Sequence, residues 1–244
     1  MIERDVIVTT KYGQMPSFTC HPDSGGPFPA IIFYMDAPGI REELRHMARR
    51  IAKAGYFVVL PDMYYRMGHI RFDIARRNDA MSAIIRPTMN HLTNDMVMDD
   101  TAGMIGYIDG QDAAKPGPIG CVGYCMSGRH ITNALTRFPD RMKAGASLYG
   151  VGIVTEAEDS PHLALAKAAV GELYYAFAET DQTVPDFVIP KLRPALEAAG
   201  VPSQVDVYPG TFHGFAFPER PVYDHHAAED SWAKIFAMWA RRLK

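Results

Sequence analysis

The 244-residue sequence predicts an α/β fold, a mostly parallel sheet covered by helices on both faces, within a single domain spanning residues 1–244. Three observations predict it. Short apolar runs rich in β-branched and aromatic residues recur along the chain, segments with helical apolar spacing alternate with them, and Gly and Pro punctuate the junctions. With 48% apolar residues, a chain of this length buries one substantial core.

Residues 5–9 and 14–20 alternate like strands around Tyr12-Gly13, an opening hairpin, and a Pro/Gly-rich loop follows over 21–29. Residues 30–35 read as a buried strand. Across 42–54 the apolar residues Leu44, Met47, Ala48 and Ile51 fall on one helical face, and Gly55 closes the helix. A strand is expected at 56–60. Residues 61–87, rich in Arg, Met and Tyr, are the least regular part, either a lid or pocket wall or a plain surface excursion. Beyond them come a helix at 94–108, a strand at 118–122, a helix at 128–138 and a strand at 143–149. The order then continues with strands at 173–178 and 204–208 and helices at 186–199 and 221–242.

Bulk chemistry narrows the function. A net charge of −3 and an isoelectric point near 6.3 give no sign of a nucleic-acid or anionic-membrane partner. The N-terminal segment carries mixed charges and alternates like a strand, so no secretory leader is expected, and no apolar stretch approaches the roughly 20 residues that span a bilayer. Three cysteines make no disulfide framework, so a reducing, cytoplasmic setting is expected. Cys121 and Cys125 flank a strand end with no second ligand pair after them, so no metal is expected. The glycines of 106–120 lack the ordered spacing of a dinucleotide loop, and no cofactor is expected.

The chemistry concentrates in Gly123-Tyr124-Cys125-Met126-Ser127-Gly128, a sharp turn between the strand ending at Val122 and the helix from Gly128. Such a turn lifts its central side chain above the sheet and needs small residues two places on either side, here Gly123 and Ser127. The following helix points its free N–H groups at the turn, which favours a thiolate. Cys125 is the candidate nucleophile, although alone it reads equally well as a small apolar filler. Asp181 lies just past the strand at 173–178, and His213 in the loop after 204–208. Asp181 by itself could be a helix cap. The order nucleophile, acid, histidine is that of α/β-hydrolases and neither the chymotrypsin nor the subtilisin order, so the three read together as a triad.

From about Tyr12 to Phe217 the sequence resembles the dienelactone hydrolases, cysteine-dependent members of the α/β-hydrolase fold. The likeness is carried by PAIIFYMDAPG (29–39), AGYFVVLPDMY (54–64), the GYC elbow, LYGVG (148–152), TDQTVP (180–185) and HGF (213–215). It implies a triad of Cys125, Asp181 and His213, and an oxyanion hole built from the backbone N–H groups of Met126 and Ala37. It also implies that Asp36 gates the resting thiol, where the family commonly has Glu; read by itself, Asp36 is a turn former ahead of Pro38 and Gly39. Tyr149 and Phe217 fall in the expected substrate pocket. The family's elbow usually has Gly where Ser127 stands. Its carboxylate-binding arginine after the histidine corresponds to Phe217, a loss that argues for a substrate without a carboxylate unless Arg66, Arg71, Arg76, Arg77 or Arg86 replaces it.

The expected reaction is hydrolysis of a small ester or lactone through a thioester on Cys125, with His213 moving the proton and Asp181 fixing its tautomer. An unperturbed imidazole acting as a general base predicts activity falling below roughly pH 6 to 7. Two alternatives are a non-catalytic binder or thiol sensor on the same fold, and a related hydrolase of a peptide or thioester bond. The sequence leaves the oligomeric state open.

Overall fold

The opening hairpin forms as β1 (Ile2–Thr10) and β2 (Gly13–His21), antiparallel from Ile2 opposite His21 to Thr10 opposite Gly13. A computed structural model describes residues Met1–Lys244, which divide into two units, Met1–Gly117 and Pro118–Lys244. In the first unit β3 (Phe28–Tyr34) pairs in parallel with β4 (Phe57–Pro61), and β4 pairs antiparallel with β2, giving the order β1-β2-β4-β3. Every residue of β3 and β4 is buried. That explains why both read as continuous apolar runs, since a strand covered on both faces has no polar side.

Helix α1 (Glu42–Lys53) buries Leu44, Met47, Ala48, Ile51 and Ala52 and packs on β2 and β4. Each buried Leu or Ile there contributes roughly 1.5–3 kcal/mol relative to exposure. Glu42 and Glu43 in its first turn and Arg50 and Lys53 in its last complement the helix dipole. The irregularity expected over 61–87 is only partly observed. Single 3-10 turns at Tyr65–Met67 and Ile74–Arg76 lead into a second helix, α2 (Asp79–His91), capped by the Asn78 side chain, which accepts from the Met81 N–H at 2.9 Å. Only Ile85 and Thr88 of α2 are buried, so its apolar stripe is too thin to register as a period, and the internal Pro87 reads as a break. Helix α3 (Asn94–Asp109) follows, capped by Thr93, and packs on β1.

The second unit is a parallel set. Strand β5 (Ala114–Tyr124) carries the chain into it and pairs with β6 (Met142–Leu148), then β7 (Glu172–Thr180), then β8 (Ser203–Phe212). Helices α4 (Gly128–Arg137), α5 (Val188–Ala198) and α6 (His225–Arg242) connect or follow these strands. A 3-10 run at Pro161–Ala168, absent from the sequence reading, packs against α4 and α5. Helix α6 starts four residues later than expected: Asp224 caps it by accepting from Ala227 N–H at 2.8 Å, while its own N–H is held by the Phe215 carbonyl. Lys234 Nζ then ties α6 to β8 through Asp206 at 2.7 Å. No helix is long and apolar enough to cross a membrane.

Parallel pairing puts the carboxyl ends of β5, β6, β7 and β8 on one edge. The residue directly after each end is Cys125, Tyr149, Asp181 and His213 respectively. That edge is where open α/β sheets place their chemistry.

Candidate active site

The backbone around Cys125 has the geometry of a strained elbow. Tyr124 ends β5 in an extended conformation, Cys125 turns to φ +54°, and one 3-10 turn (Cys125–Ser127) leads straight into α4. A left-handed non-glycine residue costs about 1–2 kcal/mol and persists only where its surroundings hold it. Here Val151 N–H bonds the Cys125 carbonyl at 2.8 Å. Small residues are needed as expected: a Cβ on Gly123 would lie 2.8 Å from that of Ser127. A second requirement was not foreseen. The α4 backbone crosses the segment after β6 so closely that a Cβ on Gly128 would sit 2.3 Å from the Gly150 Cα.

His213 and Asp181 meet beside this elbow. His213 Nδ1 lies 2.6 Å from Asp181 Oδ2, and the imidazole is also hydrogen-bonded to the Cys125 side chain. Burial alone would push the His213 pKa down, but the bonds to Asp181 and Cys125 outweigh it and raise the imidazole from its ordinary 6.5 to about 9. Burial pushes the Asp181 carboxyl up, yet His213 together with the Thr183 hydroxyl and N–H holds it below the usual range. A raised imidazole keeps its proton to higher pH than the ordinary one on which the expected acid limb rests. Its contribution to stability is full below the unfolded value near 6.5 and is lost as pH rises through about 9.

Tyr149 and Phe217 are both fully buried. Tyr149, at φ +38°, turns its ring edge to the His213 imidazole at 5.0 Å and touches Phe215 and Phe217, while Phe217 also packs on Tyr124. Tyr149 thus braces the imidazole, and the two phenylalanines brace Tyr149. Met126, whose N–H follows the nucleophile, is buried as well.

Asp36 and Ala37 belong to the first unit, on the loop after β3. The buried Asp36 carboxylate is gripped by Arg41 at 2.5 and 3.2 Å, and Arg41 also bonds Glu43. Gly39 N–H donates to the Asp36 carbonyl at 2.9 Å and Tyr64 O–H to the Ala37 carbonyl at 2.6 Å, so the peptide planes on both sides of Ala37 are fixed.

Four of the five cations named as replacements for the lost arginine are otherwise engaged in the first unit, and the fifth, Arg86, is exposed on α2. Arg66 makes a bidentate pair with Asp100, Arg71 pairs with Asp62, Arg76 with Asp73, and Arg77 bonds Ser82. The cation missed in the sequence is Arg220, whose guanidinium lies 4.6 Å from the Phe217 ring centroid and whose Nη1 would be 3.0 Å from a Cβ on Gly214, the residue after His213. No group of three His, Cys, Asp or Glu side chains is arranged to hold a metal ion.

The sequence model of the dienelactone hydrolase family matches residues 15–243. This chain belongs to that family. It is accordingly a hydrolase acting on ester bonds, and the family acts on small esters and lactones. A Methylorubrum extorquens protein provisionally named carboxymethylenebutenolidase is 27% identical over 237 residues, covering 96% of this dienelactone hydrolase family member and 79% of the relative. The carboxymethylenebutenolidase homolog of Mus musculus is 29% identical over 193 residues, 78% of this chain and 72% of that one. A crystal structure from Klebsiella pneumoniae, provisionally named a dienelactone hydrolase, superposes with a TM-score of 0.86 at 22% identity and covers 98% of both chains, which makes the fold that of the α/β-hydrolases.

Proposed function

We propose that this dienelactone hydrolase family member hydrolyses small activated esters and lactones through a thioester on Cys125. The observation that carries the reading is a cysteine held at φ +54° on a strand-to-helix elbow and hydrogen-bonded to an imidazole whose other side meets a carboxylate at 2.6 Å. Sγ attacks the carbonyl carbon, and the negative charge moves to the carbonyl oxygen, received by the N–H group of Met126, directly after the nucleophile. His213 gives its proton to the leaving alkoxide as the C–O bond breaks, leaving a thioester. Water then attacks while His213 takes one of its protons, and the acid product departs as the C–S bond breaks. We infer a cytoplasmic setting from the three unpaired cysteines.

The reading is tested by quenching the enzyme with a slow activated ester and mapping the acyl group by mass spectrometry. The adduct is expected on Cys125 alone, because burial pushes the Cys20 thiol up to about 12 and the Cys121 thiol upward as well. An adduct on another residue would overturn it. The pH profile offers a second check. Because the imidazolium must donate to the leaving group, kcat/KM is expected to decline as pH rises through about 9. A profile still climbing at pH 10 would contradict the proton assignment.

A further inference from the structure

We propose that Thr183 is a positioning residue for the Asp181–His213 pair, an inference that rests on the triad reading above. Its hydroxyl donates to Asp181 Oδ1 at 2.6 Å, and its backbone N–H reaches the same oxygen at 2.9 Å. The same hydroxyl oxygen lies 3.0 Å from His213 Nδ1. A threonine hydroxyl has one proton and two lone pairs, and its proton is committed to Oδ1, so only lone pairs face the imidazole. Nδ1 must then carry a proton, which it shares between Thr183 Oγ1 and Asp181 Oδ2.

One hydroxyl thus fixes two choices. It decides which carboxylate oxygen faces the histidine, and it excludes the tautomer in which Nδ1 is bare and Nε2 could not accept a proton. Water is a poor substitute, because the Asp181 side chain is only 4% exposed although Thr183 itself lies at the surface. The arrangement is local: Thr183 is two residues beyond Asp181, on the loop that leaves β7.

Thr183→Val keeps the backbone N–H and nearly the same shape while removing the hydroxyl. It is expected to lower kcat about tenfold, the scale of one charge-assisted hydrogen bond, with KM changed less than about twofold. Thr183→Ser is expected to restore kcat to within about threefold of the native enzyme. In histidine-labelled protein, the His213 Nδ1 proton is expected to shift and to exchange faster with solvent in the valine variant and to recover in the serine variant. That readout needs no turnover, and Thr183→Ala serves in place of valine should valine disturb the loop.

Native kcat with an unchanged Nδ1 resonance in the valine or alanine variant overturns the proposal, as does a serine variant no better than valine. Cys125→Ala measured alongside separates the two layers. Full turnover in that variant sinks the triad itself, whereas an inactive Cys125→Ala with an undisturbed Thr183→Val sinks only the positioning role.

Discussion

Cys125→Ala is expected to abolish hydrolysis of small activated esters, lowering kcat by roughly a thousandfold or more. The alanine keeps the small size of the elbow residue but removes the only sulfur hydrogen-bonded to His213. Neither remaining cysteine can stand in: Cys20 and Cys121 are fully buried in strands, and burial raises both thiols. Steady-state rates on a panel of activated esters and lactones, with folding checked by circular dichroism, make the measurement. A folded alanine variant that retains a tenth of native turnover would mean that another group attacks the carbonyl.

The second large effect is structural. A Cβ at position 150 would lie 2.1 Å from Ser147 Oγ and 2.7 Å from the Gly128 Cα, so Gly150→Ala forces two backbone segments apart. Overpacking costs typically about 1–3 kcal/mol, and backbone yields less readily than a side-chain tip, so a loss near the upper end, about 3 kcal/mol, is expected. For a chain of this size that lowers the melting temperature by about 6–12 °C. Activity should fall further than stability, since Val151, the next residue, holds the Cys125 carbonyl. Gly106→Ala in α3 is the control: a Cβ there meets nothing within 4 Å, and replacing a helical glycine at such a site is expected to be neutral or stabilising by up to about 1 kcal/mol. Equal melting temperatures for the two variants would refute the crossing as a constraint.

What the sequence made legible follows from what is local. The buried strands β3, β4 and β7 announce themselves because residues covered on both faces are apolar without interruption. Cys125, Asp181 and His213 were findable because each directly follows a strand and their order along the chain is informative. Helix α2 was hidden because only two of its residues are buried and a proline interrupts it. The contact of Gly128 with Gly150 joins residues 22 positions apart, and nothing in either neighbourhood signals it. Arg220 is hidden in the sequence because only a chain reversal brings a residue seven places past the histidine back beside Gly214. Thr183 has a visible signal, a hydroxyl two residues after a strand-end aspartate, but its second bond, to the imidazole, arises only in the fold.

Four neighbouring strands each hand over to one working residue at the very position where pairing stops. The interatomic spacings needed for catalysis are thereby inherited from the ladder, whose rungs repeat at a fixed separation, rather than from the loops that wander above it. Selection for a new substrate is thus free to rewrite those loops, whereas inserting or deleting a single residue at any of the four handover points would throw the whole constellation out of alignment.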